Sequence, residues 1–478
     1  VIQEIALGKV ATVHCGEYTV HWRDFQDAIS IFCDGFDVLK DGIREHFKQA
    51  RPRRRNKYLD SAFEIDQFGA KLLVETTAEL FRIETGNVYE STMGLETLVC
   101  KLSNFDTSDP RDTINAFLNI CSELNPSKSN LPHQVPMPDY SKDLFEVYRD
   151  FVKWAVESSK SLDIICRYWA LPERETTTPT TPRLVELPTW ILLVDDSAFG
   201  RGEEVFDGRK AADSLVGLPG CSQYHASGKG SQQKYPVVEY PSDFSLGEED
   251  TYDSEVSIQN HLTPTQPLLH NTTLVVTGLA IGTVSYRNQP FADGVIPKEC
   301  LEKLGWSFDW RATAVKEVPD QLWRTLVADR GPNGGPKLQT YRRGCQHCLV
   351  CLTRNGHINI REVLRESENI GYTRPFLERV RAVTWDRSFI EGIQIVPEGK
   401  RSADAPDKIL VSLGPSKTKE GDVIAILYGC SVPVILRPVH DHSKDQQYYE
   451  FVGEAYIHGK MDGEAIDAGF EERKFRLI

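Results

Sequence analysis

"GDVIAILYGCSVPVILRPVHDHSKDQQYYEFVGEAYIHG", residues 421–459, is where the architecture of this chain first becomes legible. Its apolar runs "DVIAILYG", "PVILRPV" and "YYEFVGEAYIHG" are rich in β-branched and aromatic residues. Gly and Pro stand between them at intervals too short for helices. With "KILVSLG" at 408–414 they make four runs at close spacing, the pattern of a small antiparallel β-barrel over residues 401–478. The longest apolar stretch, Ile424 to Leu436, has 13 residues and contains Gly429 and Pro433. A membrane-spanning helix needs roughly 20 apolar residues, so a soluble protein with no membrane partner is predicted.

Upstream, the texture changes several times. Residues 319–400 read as helical, beginning with "PDQLWRTLVADRG", which stops at Gly331 and Pro332 as a helix should. Residues 184–318 read as β-rich, with "TWILLV", "DSLVGLPG" and "NTTLVVTGLAIGTVSYR" as strands. "ALPERETTTPTTPR" (170–183) has three prolines, five threonines and almost no apolar residue after Leu171, and reads as a linker. Residues 49–169 carry helical periodicity over Phe63–Ile83, Leu95–Leu102, Ile114–Leu124 and Leu144–Ile165. Residues 1–48 open with a hairpin turning at Gly16 and Glu17, followed by a helix over Trp22–Phe47. The expected class is therefore α+β: a mostly helical N-terminal region, a β-rich middle, helices, and a small C-terminal antiparallel β-barrel.

The 478 residues include 69 acidic and 55 basic side chains, a formal charge of −14, so the overall field repels polyanions and a nucleic-acid partner is not expected. Eleven cysteines scattered along a chain of this length suit reduced thiols in an intracellular, cytoplasmic protein better than a secreted disulfide framework.

"CQHCLVC" (Cys345–Cys351), with His347 and His357 nearby, offers the ligand types of tetrahedral zinc. Yet Leu349, Val350 and Leu352 continue an apolar helix, Cys345 and Cys348 share one face of it, and no second CxxC closes the site. Core packing is the favoured reading, with no metal and no cofactor. In "SDPRD", Asp109 suits an N-cap, Pro110 the first helical position, and Asp112 the position that reaches back in a capping box. "RPRRRNK" (51–57) reads as a solvated loop before a phosphate-binding or import signal. "GEAYIHGKMDGE" brings Glu454, His458, Asp462 and Glu464 together in sequence, but alternation along strands lets only part of the set converge, so turn and rim roles are expected. GxSxG, HExxH and GxxxxGK[ST] are all missing, and no catalytic residue can be named.

In order along the chain, these segments resemble fungal heterokaryon-incompatibility (HET) domain proteins. "VIQE" (Val1–Glu4) resembles the end of the third HET motif, followed in that family by "CG" and a Trp, here Cys15, Gly16 and Trp22. "SDPRDTINAFLNI" (Ser108–Ile120) resembles the family's "DPRD" helix start, and "PDYSKDLFEVYRDFVKWAVESSKSLDII" the segment after it. "LWRTLVADRG", "GDVIAILYGCSVPVILRP" and "FVGEAYIHGKMDGEA" resemble the C-terminal halves of such proteins. The matching residues are Gln3, Glu4, Cys15, Gly16, Trp22, Asp109, Pro110, Arg111 and Asp112. Motifs of the "SYxWG" and "WIDxxCIxQ" type do not occur, so residues 1–48 are expected to be the end of an α/β HET domain truncated at its N-terminus. The resemblance implies non-self recognition, with an incompatible protein partner triggering cell death. It leaves two alternatives: a TIR-like NAD-cleaving enzyme in the intact protein, with Glu4 the only acidic HET-motif residue here, or an interaction scaffold without activity.

Overall fold

The computed structural model describes residues 2–8, 10–36, 39, 69–83, 89–103, 105, 107–124, 134–173, 187–196, 214–240, 272–291, 294–307, 317–366, 371–397, 408–439 and 446–478. The basic run at 51–57 and residues 174–183 of the Pro/Thr-rich stretch lie outside them. Two compact units divide the chain: Val1–Ser158 with Tyr168–Val185 and Leu192–Ala211, and Ser159–Arg167 with Glu186–Ile191 and Ala212–Ile478.

The first unit is mainly helical. A short helix α1 (Ile2–Leu7) precedes the hairpin β1 (Thr12–Cys15) and β2 (Tyr18–His21), in which Cys15 pairs with Tyr18 across Gly16 and Glu17. Gly16 has φ +60°, the left-handed value that a two-residue hairpin turn of the primed type requires and that glycine adopts without penalty. Helix α2 (Trp22–Asp34) follows, closed by Gly35, whose N–H bonds the Ile31 carbonyl; of the helix expected up to Phe47, residues beyond 39 lie outside the described ones. Next come α3 (Gly69–Glu79), the hairpin β3 (Phe81–Ile83) and β4 (Tyr89–Ser91), α4 (Leu95–Leu102), the single turn α5 (Asp112–Asn115), and α6 (Leu144–Ser159). The helix expected over Ile114–Leu124 breaks instead into α5 and the 3₁₀ turns Leu118–Ile120 and Ser122–Leu124.

Helix α6 shows why the local sequence folds as it does. Asp143 and Glu146 form a reciprocal capping box, with Glu146 N–H on Asp143 Oδ1 at 2.7 Å and Asp143 N–H on Glu146 Oε2 at 3.1 Å. The helix then buries Tyr148, Phe151 and Val152 on one face. Trp169 meets Tyr148 and Phe151 edge-on at centroid distances of 4.9 and 5.0 Å, the orientation that aligns ring edge with ring face.

The second unit is built on one nine-stranded sheet, made of β5 (Val238–Glu239), β6 (Leu274–Arg287), β9 (Arg387–Gln394), β10 (Ile409–Pro415), β11 (Val423–Leu427), β12 (Val434–Val439), β13 (Tyr448–Glu454), β14 (Tyr456–Ile457) and β15 (Glu472–Leu477). Around it lie the pair β7 (Val295–Ile296) and β8 (Ile358–Asn359), with α7 (Lys298–Lys303), α8 (Asp320–Leu326), α9 (Tyr341–Val350), α10 (Ile360–Glu366) and α11 (Thr373–Thr384). The order runs β11-β12-β13-β15-β6-β9-β10-β14, and β11 also bonds β6. The β13–β15 ladder is parallel; every other ladder in this sheet is antiparallel.

β6 is the axis of the sheet. Its 14 residues pair with β15 over Leu274–Leu279, with β11 over Gly278–Thr283 and with β9 over Gly282–Arg287. Register shifts fall between Ile424 and Ala425, between Ile435 and Leu436, and between Val284 and Tyr286, and bulges of this kind bend strands and raise their twist. Gly278 lets β6 approach β11: a Cβ there would stand 2.4 Å from the Ile426 carbonyl oxygen. Leu279, Ile281, Ile390, Ile424, Ile426, Ile435 and Ile457 form the core against the sheet.

The four C-terminal runs are strands as expected, but the sheet also takes β6, β9 and β15. Sheet strands thus come from 184–318, 319–400 and 401–478 alike, rather than from the C-terminal region alone. Two expected strands are absent. "TWILLV" is a turn, an isolated bridge of Leu193 to Ala170 and a 3₁₀ turn at Val194–Asp196. The described part of "DSLVGLPG" is bends and turns, because the N–H groups of Leu215 and Val216 are bonded by the Glu454 carboxylate, each at 2.9 Å, rather than by a neighbouring strand.

Candidate functional site

Helix α8 ends in "LVADRG", and the backbone there is unusual. Ala328 and Asp329 lie consecutively in the left-handed region, at φ 49° and 53°, where non-glycine residues are rare and each costs on the order of 1 kcal/mol. The surroundings hold them there. The Asp329 N–H bonds the Arg324 carbonyl at 2.8 Å, and the Tyr224 hydroxyl donates to the Ala328 carbonyl. The Asp329 carboxylate accepts from Lys337 at 2.5 Å and Arg324 at 3.3 Å.

This turn presents Arg330. Its guanidinium stacks over Tyr224 at 4.6 Å, donates from Nε to the Gln223 carbonyl at 3.0 Å, and grips both oxygens of Asp462 from Nη2 at 2.9 and 3.2 Å. Asp462 also faces Lys229 at 3.1 Å and His225 at 3.8 Å, while its own N–H is held by Glu464 at 2.8 Å. Burial pushes the Asp462 carboxyl up, but the hydrogen bonds and charges of Arg330 and Lys229 outweigh it and hold it below the ordinary carboxylate range. Burial pushes the His225 imidazole down, helped by Lys229, and burial does the same to His458, which lies 3.2 Å from the Tyr456 hydroxyl. A site of acid–base catalysis sets a carboxyl or imidazole near neutrality beside a nucleophile. Here the carboxylate is held ionised and all three guanidinium nitrogens of Arg330 are hydrogen-bonded, which makes a polar cross-link with charged groups at its rim.

Of the four residues read from "GEAYIHGKMDGE", Asp462 and Glu464 occupy the turn as expected. Glu454 does not belong to a rim: it is 6% exposed and pairs with buried Arg387 at 2.7 Å. Arg387 in turn donates to the Val383 carbonyl at 2.6 Å. Arg330, Lys229, His225 and Tyr224 escaped the sequence reading because residues 224 and 462 meet only through the fold. The two successive left-handed residues leave no mark in composition.

In the first unit, Asp109 accepts the Arg111 N–H at 3.0 Å, but α5 begins only at Asp112 with Arg111 at its cap, so Asp109 and Pro110 stand ahead of the helix rather than at its N-cap and first position. Asp112 does not reach back to close a capping box; its Oδ1 accepts the Tyr140 hydroxyl at 2.6 Å. Arg111 binds Asp109 at 2.8 Å, donates to the Tyr140 and Lys142 carbonyls at 2.8 and 3.1 Å, and covers the Tyr140 ring at 5.2 Å. The side-chain hydrogen bond from Arg111 holds the Asp109 carboxyl below its usual range. The Tyr148 hydroxyl, 3.0 Å from the Pro110 carbonyl, ties this motif to α6. Gln3 and exposed Glu4 lie on α1, which packs on α3 and on the turn Leu118–Ile120. Cys15 and Gly16 sit at the hairpin tip, and Trp22 is buried at the start of α2 against Phe25, 5.5 Å between centroids.

The cysteine stretch forms helix α9, with Cys345 and Cys348 wholly buried on one face. Burial pushes the Cys345 thiol well up and the Cys348 thiol to about 12, the opposite of what a thiolate ligand needs. Among the described residues, no group of three or more His, Cys, Asp or Glu side chains is placed to hold a metal.

Residues 398–478, which include Asp462, match the family described as the Het-6 beta-barrel domain. Over this C-terminal segment the chain is thus similar to a domain family named for fungal heterokaryon incompatibility. It is also similar to heterokaryon incompatibility protein 6, OR allele, of Neurospora crassa, 35% identical over 96 residues. That alignment takes in 20% of this chain and 14% of the relative. No solved structure matches the chain. Asp462 and Glu454 thus stand inside the segment that carries the HET-family match, and Arg330 and Arg387 bind them from outside it. Among the described residues, no helix is long and apolar enough to cross a membrane.

Proposed function

We propose that this protein acts in fungal non-self recognition, as a cytoplasmic component of heterokaryon incompatibility whose association with a protein from an incompatible partner triggers growth arrest or cell death. The observation that carries the reading is the Het-6 beta-barrel match over residues 398–478. The circuit of ladders that leaves β6 through β11, β12, β13 and β15 and returns to β6 supports reading this sheet as a small barrel. The cross-linked turns at Asp329 and Asp462 supply a stiff polar surface, which suits recognition better than chemistry. The test is genetic. Deleting the gene should let at least one pair of previously incompatible strains form a viable heterokaryon, and restoring the gene should bring incompatibility back. If every pairing behaves as before, the reading fails. Cellular NAD, measured in the same cells, should stay level as death begins; an early loss of NAD would favour an enzymatic effector.

A further inference from the structure

The second unit leaves one stretch of its sheet open. β14 covers β10 at Ser412 and Leu413, and the His458 N–H then bonds the Val411 carbonyl at 2.9 Å. There the chain turns away: Gly459 takes φ 70°, and the Lys460 N–H closes on the Ile457 carbonyl at 3.0 Å. Ile409 is left with β9 on one side and, among the described residues, no strand on the other. The Gln394 N–H bonds the Lys408 carbonyl at 2.9 Å, which directs the backbone of Lys408 to β9 and, by alternation, the N–H and C=O of Ile409 to the open side. Backbone groups left open on a sheet edge are a template for one more strand.

Two features beside this edge define what fits it. Ile409 and Ile393 pair across β10 and β9 and are 48% and 41% exposed, with Ile395 and Val396 exposed just beyond them. Lys460 is only 7% exposed as a residue, yet its Nζ makes no hydrogen bond or ion pair, and its tip is not sealed from solvent. Burial and the charge of nearby Lys408, itself exposed, push the Lys460 ammonium below the ordinary lysine range, against a pull from Glu464. A lysine that only discourages edge pairing stays solvated. A largely buried ammonium without a counter-ion instead calls for a carboxylate. Successive strand residues face opposite sides, so Lys408 and Ile409 suit acidic and apolar residues in alternation. The net charge of −14 disfavours a nucleic acid here, whereas a short peptide answers mainly to charges within about 10 Å. We propose that the open edge of β10 at Ile409 binds an extended acidic segment of a partner protein, added as a strand. Its backbone bonds Ile409, its carboxylates meet Lys460 and Lys408, and its apolar residues cover Ile409 and Ile393. This inference stands on the edge alone and does not depend on the role in incompatibility.

The test uses the full chain and a fluorescently labelled, capped peptide, Glu-Val-Glu-Val-Glu, followed by anisotropy. The peptide should bind saturably and more weakly as salt rises, and its Lys-Val-Lys-Val-Lys counterpart should not bind. Lys460→Met keeps the buried stem and removes the charge; it should weaken binding about tenfold while the urea midpoint holds or rises. Ile409→Pro deletes the outward N–H without touching the ladder to β9, so the chain should still fold, by the same urea measure, and lose the peptide. Ile393→Ser, at an exposed position, should also weaken binding and reads the apolar contact independently of any proline effect. The proposal is overturned by no saturable binding of the acidic peptide, by binding unchanged in either folded variant at Lys460 or Ile409, or by tighter binding of a single-stranded oligodeoxythymidylate of equal charge.

Discussion

Two ion pairs of similar appearance differ sharply in their surroundings. Glu454 and Arg387 are both below 10% exposed as side chains, and Glu454 also holds two backbone N–H groups. Removing the carboxylate would leave a buried guanidinium and two orphaned donors. Glu454→Ala should therefore cost about 3–5 kcal/mol in urea unfolding. Asp462 keeps a third of its side chain in solvent, so screening cuts the value of its pairs, and Asp462→Asn should cost only about 1 kcal/mol. Equal costs would mean that the Arg330 turn bears more of the fold than its exposure allows. The imidazoles give a pH signature. Both His225 and His458 have folded pKa values lowered from 6.5, so the unfolded chain binds protons more readily. Their contribution is fully present above about pH 6.5 and is lost as pH falls through the folded values. The urea midpoint should decline on acidification below about pH 6.5, and the double variant His225→Gln with His458→Gln should flatten that decline.

Helix α9 shows how packing settles an ambiguous motif at the scale of an element. Its sequence carries three cysteines and a histidine, yet it lies against α11 so closely that a Cβ at Gly344 would stand 2.7 Å from Phe376 Cβ. Cys345 and Cys348, wholly buried on the same helix, pack as small apolar groups. Iodoacetamide should accordingly label exposed Cys15 and Cys221 first, and leave Cys345, Cys348, Cys166 and Cys430 unmodified until the chain unfolds. Peptide mass mapping of a partly labelled sample reads this order directly. Early labelling of Cys345 would show α9 parting from α11 in the native state. The strands show the converse case. "DSLVGLPG" has the apolar character of a strand, but Glu454 takes its N–H groups, and a segment whose donors are already bonded has no ladder to join.

For the whole molecule, the interleaving of the two units has a mechanical consequence. Ser159–Arg167 belongs to the second unit. There Leu162 N–H bonds the Gly429 carbonyl at 2.9 Å, and the buried Asp163 carboxylate accepts the Ser431 N–H at 2.7 Å. The second unit therefore takes chain from both sides of the Pro/Thr-rich stretch at 170–183. A protease that cuts once within that stretch should yield two fragments that still comigrate on gel filtration and separate only in denaturant. Separation in native buffer would show that the Leu162 and Asp163 bonds do not hold the segment in place.

What the sequence by itself determined follows from local rules. The hairpin at Gly16, the start of α2 at Trp22, α4 over Leu95–Leu102 and strands β10 to β14 all express periodicity and turn chemistry within a dozen residues, as does the helix around Cys345, although it ends at exposed Val350 and does not continue through Leu352. The resemblance to HET proteins was legible in the same way, from short segments in order. The tertiary structure alone decided the rest. β6 joins the C-terminal strands from more than 100 residues upstream of β10 and β9 from about 15, and their ladders are backbone bonds that carry no side-chain signature. Arg330 meets Asp462 and Arg387 meets Glu454 for the same reason. Charge and hydrogen-bond partners act over a few ångströms of space, and only the folded chain sets which residues share that space.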